Sequence, residues 1–181
     1  KMVDPSDYYK HFGEFGSPHF KNSYDKIYLP IKDVFEFSAE VISHSISLLP
    51  KNVYTYNSIH LRCGDNYIKN HEIYENNSRD CRWNSKHSIK LKYFLRKNKK
   101  PFIFFTDNIQ FKNDIKKKFN NLITLNVDIH HTGFEIKDKE LLDSIAEFYV
   151  LSNSKKIIMI VESGFARMAA RINNIPIETL F

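Results

Sequence analysis

Two short segments hold the residue types that chemistry on an anionic ligand requires. The first is His60-Leu61-Arg62-Cys63-Gly64-Asp65, and the second is Glu162-Ser163-Gly164-Phe165-Ala166-Arg167. An arginine at the end of a strand can fork two hydrogen bonds onto a phosphate. His60 and Arg62 are two apart and share one face of an extended chain. Gly64 allows close backbone approach or a positive φ, and Asp65 can fix the guanidinium or cap the loop. The competing role for Arg62 and Asp65 is a buried pair that holds the turn. In the second segment Ser163 is a natural helix N-cap, and Gly164 lets a ligand approach the amides. Arg167 falls in the first helical turn, where a cation opposes the helix dipole and a bound anion would relieve it. Pairing with Glu162 or Asp143 is the alternative for Arg167.

Two further segments offer weaker candidates. In Thr106-Asp107-Asn108, Asp107 can accept from a ribose or sugar hydroxyl, but the helix N-cap is the preferred role. Asp128, His130 and His131 follow the next apolar run. His130 can meet a base or a phosphate, against an ordinary surface or capping role, and the ligands nearby are too few for a metal. Several sites are absent from the sequence. It has no GxxxxGKS/T phosphate loop, no GxGxxG after a strand, no HExxH and no GxSxG.

Position follows from the elements that carry these residues. Val34, Phe37, Val41 and Leu48 lie on one helical stripe, so a helix is expected over 33–49, stopped by Pro50. Strands are expected at 58–63, at 102–105 (a continuous apolar run suited to burial on both faces), at 122–125, at 157–161 and at 175–180. Helices are expected around Ile89–Lys99, around Phe111–Phe119, over 141–149 with Leu141, Leu142, Ile145, Phe148 and Tyr149 as its core face, and over 165–172 on the stripe Phe165, Met168, Ala169 and Ile172. A polar, Asn-rich loop covers 66–85. Strands alternating with helices mean an α/β fold, a Rossmann-like three-layer α/β/α arrangement around a parallel sheet of 4–5 strands. Right-handed crossovers put all strand C-termini on one edge, where such sheets bind ligands. The expected division is an N-terminal helical and irregular arm over 1–52 and a Rossmann-like domain over 53–181.

Composition sets the bounds. The chain has 181 residues, 27 basic and 21 acidic, for a net charge of +6, and 42% are hydrophobic. That length suits one domain with an appendage, and that hydrophobicity excludes a disordered chain. Lysine supplies 21 of the 27 cations within an Asn-, Ile- and Lys-rich composition that reads as coding bias. The runs Arg96–Lys100 and Lys116–Lys118 are read as solvated helix ends rather than a nucleic-acid patch. The longest apolar run of the C-terminal half, Ile157–Val161, is far short of the about 20 residues that cross a bilayer. No signal-like segment opens the chain, so a cytoplasmic location is favoured, with the compartment otherwise unassigned. Cys63 and Cys81 are expected as reduced thiols, one disulfide being the alternative. The chain begins with Lys, and is expected to be an excised domain or a processed or tagged product.

These strand ends together resemble the fucosyltransferase superfamily (the α1,2-, α1,6- and protein O-fucosyltransferases). Ser58–Asp65 is similar to its HxRxGD motif. Phe102–Asn108 is similar to its strand-plus-TD segment. Glu147–Ser152 followed by Ile157–Arg167 is similar to its last motif, a helix ending in LS, a buried strand and a Ser-rich turn. Order and spacing match over about residues 55–175. The turn departs from the pattern, because Ser163-Gly164-Phe165-Ala166 lacks a second hydroxyl.

The resemblance implies a GT-B-type enzyme whose C-terminal Rossmann-like domain holds a nucleotide sugar, usually GDP-fucose. Arg62 would grip the diphosphate, aided by Gly64 and Asp65, and His60 would line the cleft near the sugar; these two are the expected catalytic residues. Asp107, or Asp128 and His130, would face the nucleoside. Ser163, with the Gly164 and Phe165 amides and Arg167, would bind phosphate at the helix start. No metal and no cofactor is expected, because positive groups stabilise the departing diphosphate. Some 55 residues before the motif are too few for a second Rossmann domain. The expected partners are therefore a nucleotide sugar, a glycan or protein acceptor, and an acceptor-binding domain or second subunit, with no nucleic acid and no membrane span. The alternative is a non-catalytic nucleotide- or glycan-binding module derived from such an enzyme.

Overall fold

The computed structural model describes residues 35–63, 85–127 and 138–180. Helix α1 (Ala39–Leu48) begins later than its apolar stripe predicts, because Ser38 takes the N-cap and its side chain accepts from the Val41 N–H. Strand β1 (Asn57–Leu61) follows, then α2 (Ser85–Lys97), β2 (Phe102–Thr106), α3 (Ile109–Lys118) and β3 (Leu122–Ile123). The chain continues through α4 (Asp138–Ser152), β4 (Ile157–Met159), α5 (Gly164–Ile172) and β5 (Ile177–Thr179).

The five strands form one sheet in the order β3-β2-β1-β4-β5. All pairs are parallel, with Ile59 opposite Phe104 on one side and Ile158 on the other. This is the Rossmann-like α/β fold expected from the alternation, with five strands. The chain builds β1, β2 and β3 outward in one direction, then crosses back to lay β4 against the free side of β1.

Burial follows the strand period of two. Ile59, Leu61, Phe102, Phe104, Ile158 and Ile160 pack with Leu91 and Leu95 of α2 and Ile115 of α3. Ile103, Phe105, Ile157 and Met159 face the other way, onto Val150 and Leu151 of α4 and Ala166, Ala169 and Ala170 of α5. Every β2 residue is buried, as its unbroken apolar run requires.

Two helix faces differ from expectation. In α5 the covered stripe is Ala166, Ala169, Ala170 and Ile172, and Phe165 is left exposed. Small alanines take the positions against the sheet, and Phe165 sits at the margin of that face, partly exposed. In α4 the covered stripe is Asp143, Ala146, Glu147, Val150 and Leu151, and Leu141 is exposed. That stripe keeps helical spacing but includes two carboxylates, so an apolar reading selects the wrong face.

The described residues from Phe37 onward form one compact unit. Helix α1 is built into it by packing on α4. Ser45 donates to the Val41 carbonyl at 2.6 Å and reaches the Ala146 carbonyl at 3.3 Å, and His44 Nε2 meets Asp143 Oδ1 at 2.6 Å. No helix among the described residues is long and apolar enough to cross a membrane.

At the start of α3 the Asn108 side chain accepts from the Phe111 N–H at 2.6 Å and is itself buried. Asn108→Ala is expected to lower stability by about 1 kcal/mol, the usual worth of an N-cap. Urea unfolding will show it as a lower midpoint with an unchanged slope.

Candidate functional site

Strand order reverses between β1 and β4, and open parallel sheets bind ligands in the crevice beyond such a reversal. Both singled-out segments exit the sheet there. The β1–β4 ladder pairs Ser58 with Ile157 and His60 with Met159. It continues where the Ile160 N–H donates to the His60 carbonyl at 2.9 Å. One chain then leads into Arg62 and Cys63, the other into Ser163 and α5.

His60 points to the α4 and α5 side, since Ile59, Leu61 and Cys63 occupy the opposite core. Its ring stacks on Phe165 with centroids 5.7 Å apart and planes at 27°. Phe165 in turn meets Phe148 of α4 edge-on at 5.0 Å. The imidazole is buried, and its Nδ1 has no hydrogen-bond partner among the described residues. Burial pushes the His60 pKa down to about 3, and the Arg62 charge acts in the same direction. The ring is therefore neutral at physiological pH. Arg62 itself is half-buried.

Ser163 is the N-cap of α5, as expected. Its buried Oγ accepts from the Ala166 N–H at 3.4 Å, which leaves the hydroxyl proton to donate. Among the described residues a Cβ placed on Gly164 would meet no atom within 4 Å, so α5 is open at that position. The Arg167 guanidinium donates through Nη2 to Glu162 Oε2 at 3.0 Å and through Nε to Oε1. The hydrogen bond to Glu162 also raises its pKa. Of the two readings of Arg167, the structure shows the ion pair with Glu162. The carboxylate lies at the positive end of α5 and neutralises the cation that would otherwise be unfavourable there.

Asp107 is not the cap of α3; Asn108 is. The Asp107 carboxylate instead accepts from the Cys63 N–H at 2.6 Å. Thr106 completes the link, its Oγ1 lying 3.6 Å from Cys63 Sγ and accepting from the Asn108 N–H at 3.4 Å. Asp107 thus fixes the backbone immediately after Arg62. Cys63 is a free, buried thiol whose pKa is pushed up, first by burial and then by the Asp107 charge. Gly64, Asp65, Asp128, His130, His131 and Cys81 lie outside the described residues.

Sequence reasoning missed Glu147. It is buried on α4, and its Oε1 is, with His60 Nδ1, one of two buried side-chain polar atoms without a partner among the described residues. Burial pushes its pKa up to about 8, Lys112 pulls it down and Asp143 pushes it up. Lys112 is also buried and donates to the Val127 carbonyl at 2.9 Å and the Leu125 carbonyl at 3.3 Å. The signal available in sequence was the spacing of Asp143 and Glu147 among Ala146, Val150 and Leu151. Unsatisfied buried atoms of this kind are costly, and ligand groups that reach them recover the cost. Among the described residues no group of three or more His, Cys, Asp or Glu side chains could hold a metal ion.

No protein-family model matches the chain, and no curated protein matches it.

The two buried groups give opposite pH dependences. Glu147 ionises near 4.5 when unfolded and near 8 when folded. The unfolded chain therefore releases its proton first, and stability falls as pH rises through that window. His60 is depressed from 6.5 to about 3, so its contribution is present above 6.5 and lost as pH falls below it. Glu147→Gln, which keeps the shape and removes the charge, is expected to flatten the loss of stability between about pH 5 and 8. Thermal or urea unfolding across that range measures it, and an unchanged slope would count against a buried neutral carboxyl.

Proposed function

We propose that the chain binds a nucleotide-diphosphate sugar, GDP-fucose being the donor its resemblance implies. It would do so as the donor-binding domain of a metal-independent, fucosyltransferase-like glycosyltransferase acting on a glycan or protein acceptor. One observation carries the reading: the HxR segment of β1 and the Ser-Gly turn of α5 leave adjacent paired strands at the strand-order reversal, and the His60 ring rests on Phe165.

The chemistry follows from these groups. In glycosyl transfer negative charge builds on the departing diphosphate. The Arg62 guanidinium and the amides that open α5 supply fixed positive charge for it. The Ser163 hydroxyl adds one donor while its oxygen holds the cap. His60, held neutral, shapes the cleft and offers an unpartnered nitrogen, but with a pKa of about 3 the ring keeps a single N–H and is too weak a base to take a second proton at neutral pH. The general base then belongs to the acceptor-binding part of the enzyme. Engagement of Arg167 by Glu162 reduces the cationic set and favours the second reading, a module that binds the donor without turning it over.

Calorimetric titration with GDP and GDP-fucose tests the proposal. Arg62→Ala is expected to weaken binding by about 1.5–3 kcal/mol, the range for a hydrogen bond to a charged group. Equal affinity of wild type and variant would overturn it. Donor hydrolysis or transfer by the chain would eliminate the non-catalytic reading.

A further inference from the structure

A second concave site lies on the opposite edge of the sheet. The C-terminal ends of α2 and α3 flank an open groove of about 870 Å³. Its walls carry Lys92, Arg96 and Lys99 on one side and Lys118 on the other, and no carboxylate lines it. Pro101 directly precedes β2 and Asn121 directly precedes β3, so the cavity sits at the N-terminal edge of the strands. A five-residue strand separates the two edges by about 16 Å. The two basic runs, far apart in sequence, converge here.

Helix capping does not account for these cations. The last carbonyls of α2 are taken by amides: Asn98 Nδ2 donates to the Phe94 carbonyl at 2.9 Å, and Asn121 Nδ2 donates to the Leu95 and Asn98 carbonyls at 3.2 and 2.5 Å. At α3 the Phe119 N–H closes onto the Lys116 carbonyl. None of Lys92, Arg96, Lys99 and Lys118 forms an ion pair with a described residue. Four like charges around one concavity repel one another, and a polyanion relieves that repulsion.

The floor distinguishes among polyanions. Pro101 and the half-buried Phe119 give it an apolar surface between the charged walls. Cationic walls that track a backbone, with apolar and aromatic surface for bases, are the design of single-strand binding grooves. A sulfated oligosaccharide would use the walls but not the floor, and a flat lipid surface cannot enter a concavity. We infer that this groove binds single-stranded nucleic acid through the phosphate backbone, independently of the site at the other sheet edge.

Fluorescence anisotropy with a labelled oligothymidylate of about twelve nucleotides tests this, a length that exceeds the groove. With about four phosphates neutralised, affinity should fall about 50-fold between about 50 and 200 mM salt. The double variant Arg96→Glu/Lys99→Glu should bind at least about tenfold more weakly. Lys139→Glu/Lys155→Glu, the same charge change at exposed positions elsewhere, should stay within about twofold. Circular dichroism and melting temperature check that each variant is folded. Absence of binding at the lower salt, retention by the groove variant, equal loss in the control, or tighter binding of a heparin oligosaccharide would each overturn the inference.

Discussion

Strand β1 is the one element hydrogen-bonded to both halves of the molecule. It pairs with β2 over all five of its residues and with β4 on its other side. Everything built first, from α2 to β3, extends one way from it, and everything after α4 extends the other. Its alternating side chains feed both cores: Ile59 and Leu61 go to one, while Ser58 and His60 turn to the other face. The crevice at its C-terminal end is thus a consequence of topology. Two sheet halves grow apart from a shared strand, and the helices that cover them diverge above it.

Polar contacts then tune this scaffold. Asp107 ties the exit of β1 to the exit of β2, so Arg62 leaves the sheet from an anchored backbone. On the other face the molecule buries His60 and Glu147, and burial keeps both uncharged near neutral pH. A neutral imidazole and a neutral carboxyl avoid the large penalty of buried isolated charge, yet each retains an atom without a partner. Lys112, in contrast, donates through its side-chain nitrogen to two backbone carbonyls.

Much of the architecture is legible from sequence because doubly buried strands announce themselves. Phe102–Phe105 and Ile157–Val161 are unbroken apolar runs, and their spacing around amphipathic stretches leaves a parallel sheet as the economical solution. The roles of individual polar residues are less legible. Asp107 and Asn108 are both good caps, and only the position of the Cys63 amide decides between them. The face of α4 is obscured because two of its buried positions are carboxylates: Asp143 meets His44, remote in sequence, and Glu147 is held neutral by burial. Arg167 is decided by a neighbour five residues away, a choice that helix periodicity alone leaves open. The convergence of two basic helix ends on one cavity is likewise invisible until the strands between them are placed.

The open space above Gly164 has a separate consequence. Among the described residues nothing crowds that position, so their packing does not demand the missing side chain. Alanine is the better helix former, by about 1 kcal/mol in a helix interior, and a methyl group there would meet none of the described residues. Position 164 therefore uncouples two properties that usually change together at a buried turn. Added bulk there leaves the contacts among the described residues intact, so a loss of ligand affinity at unchanged stability would read close approach at that position.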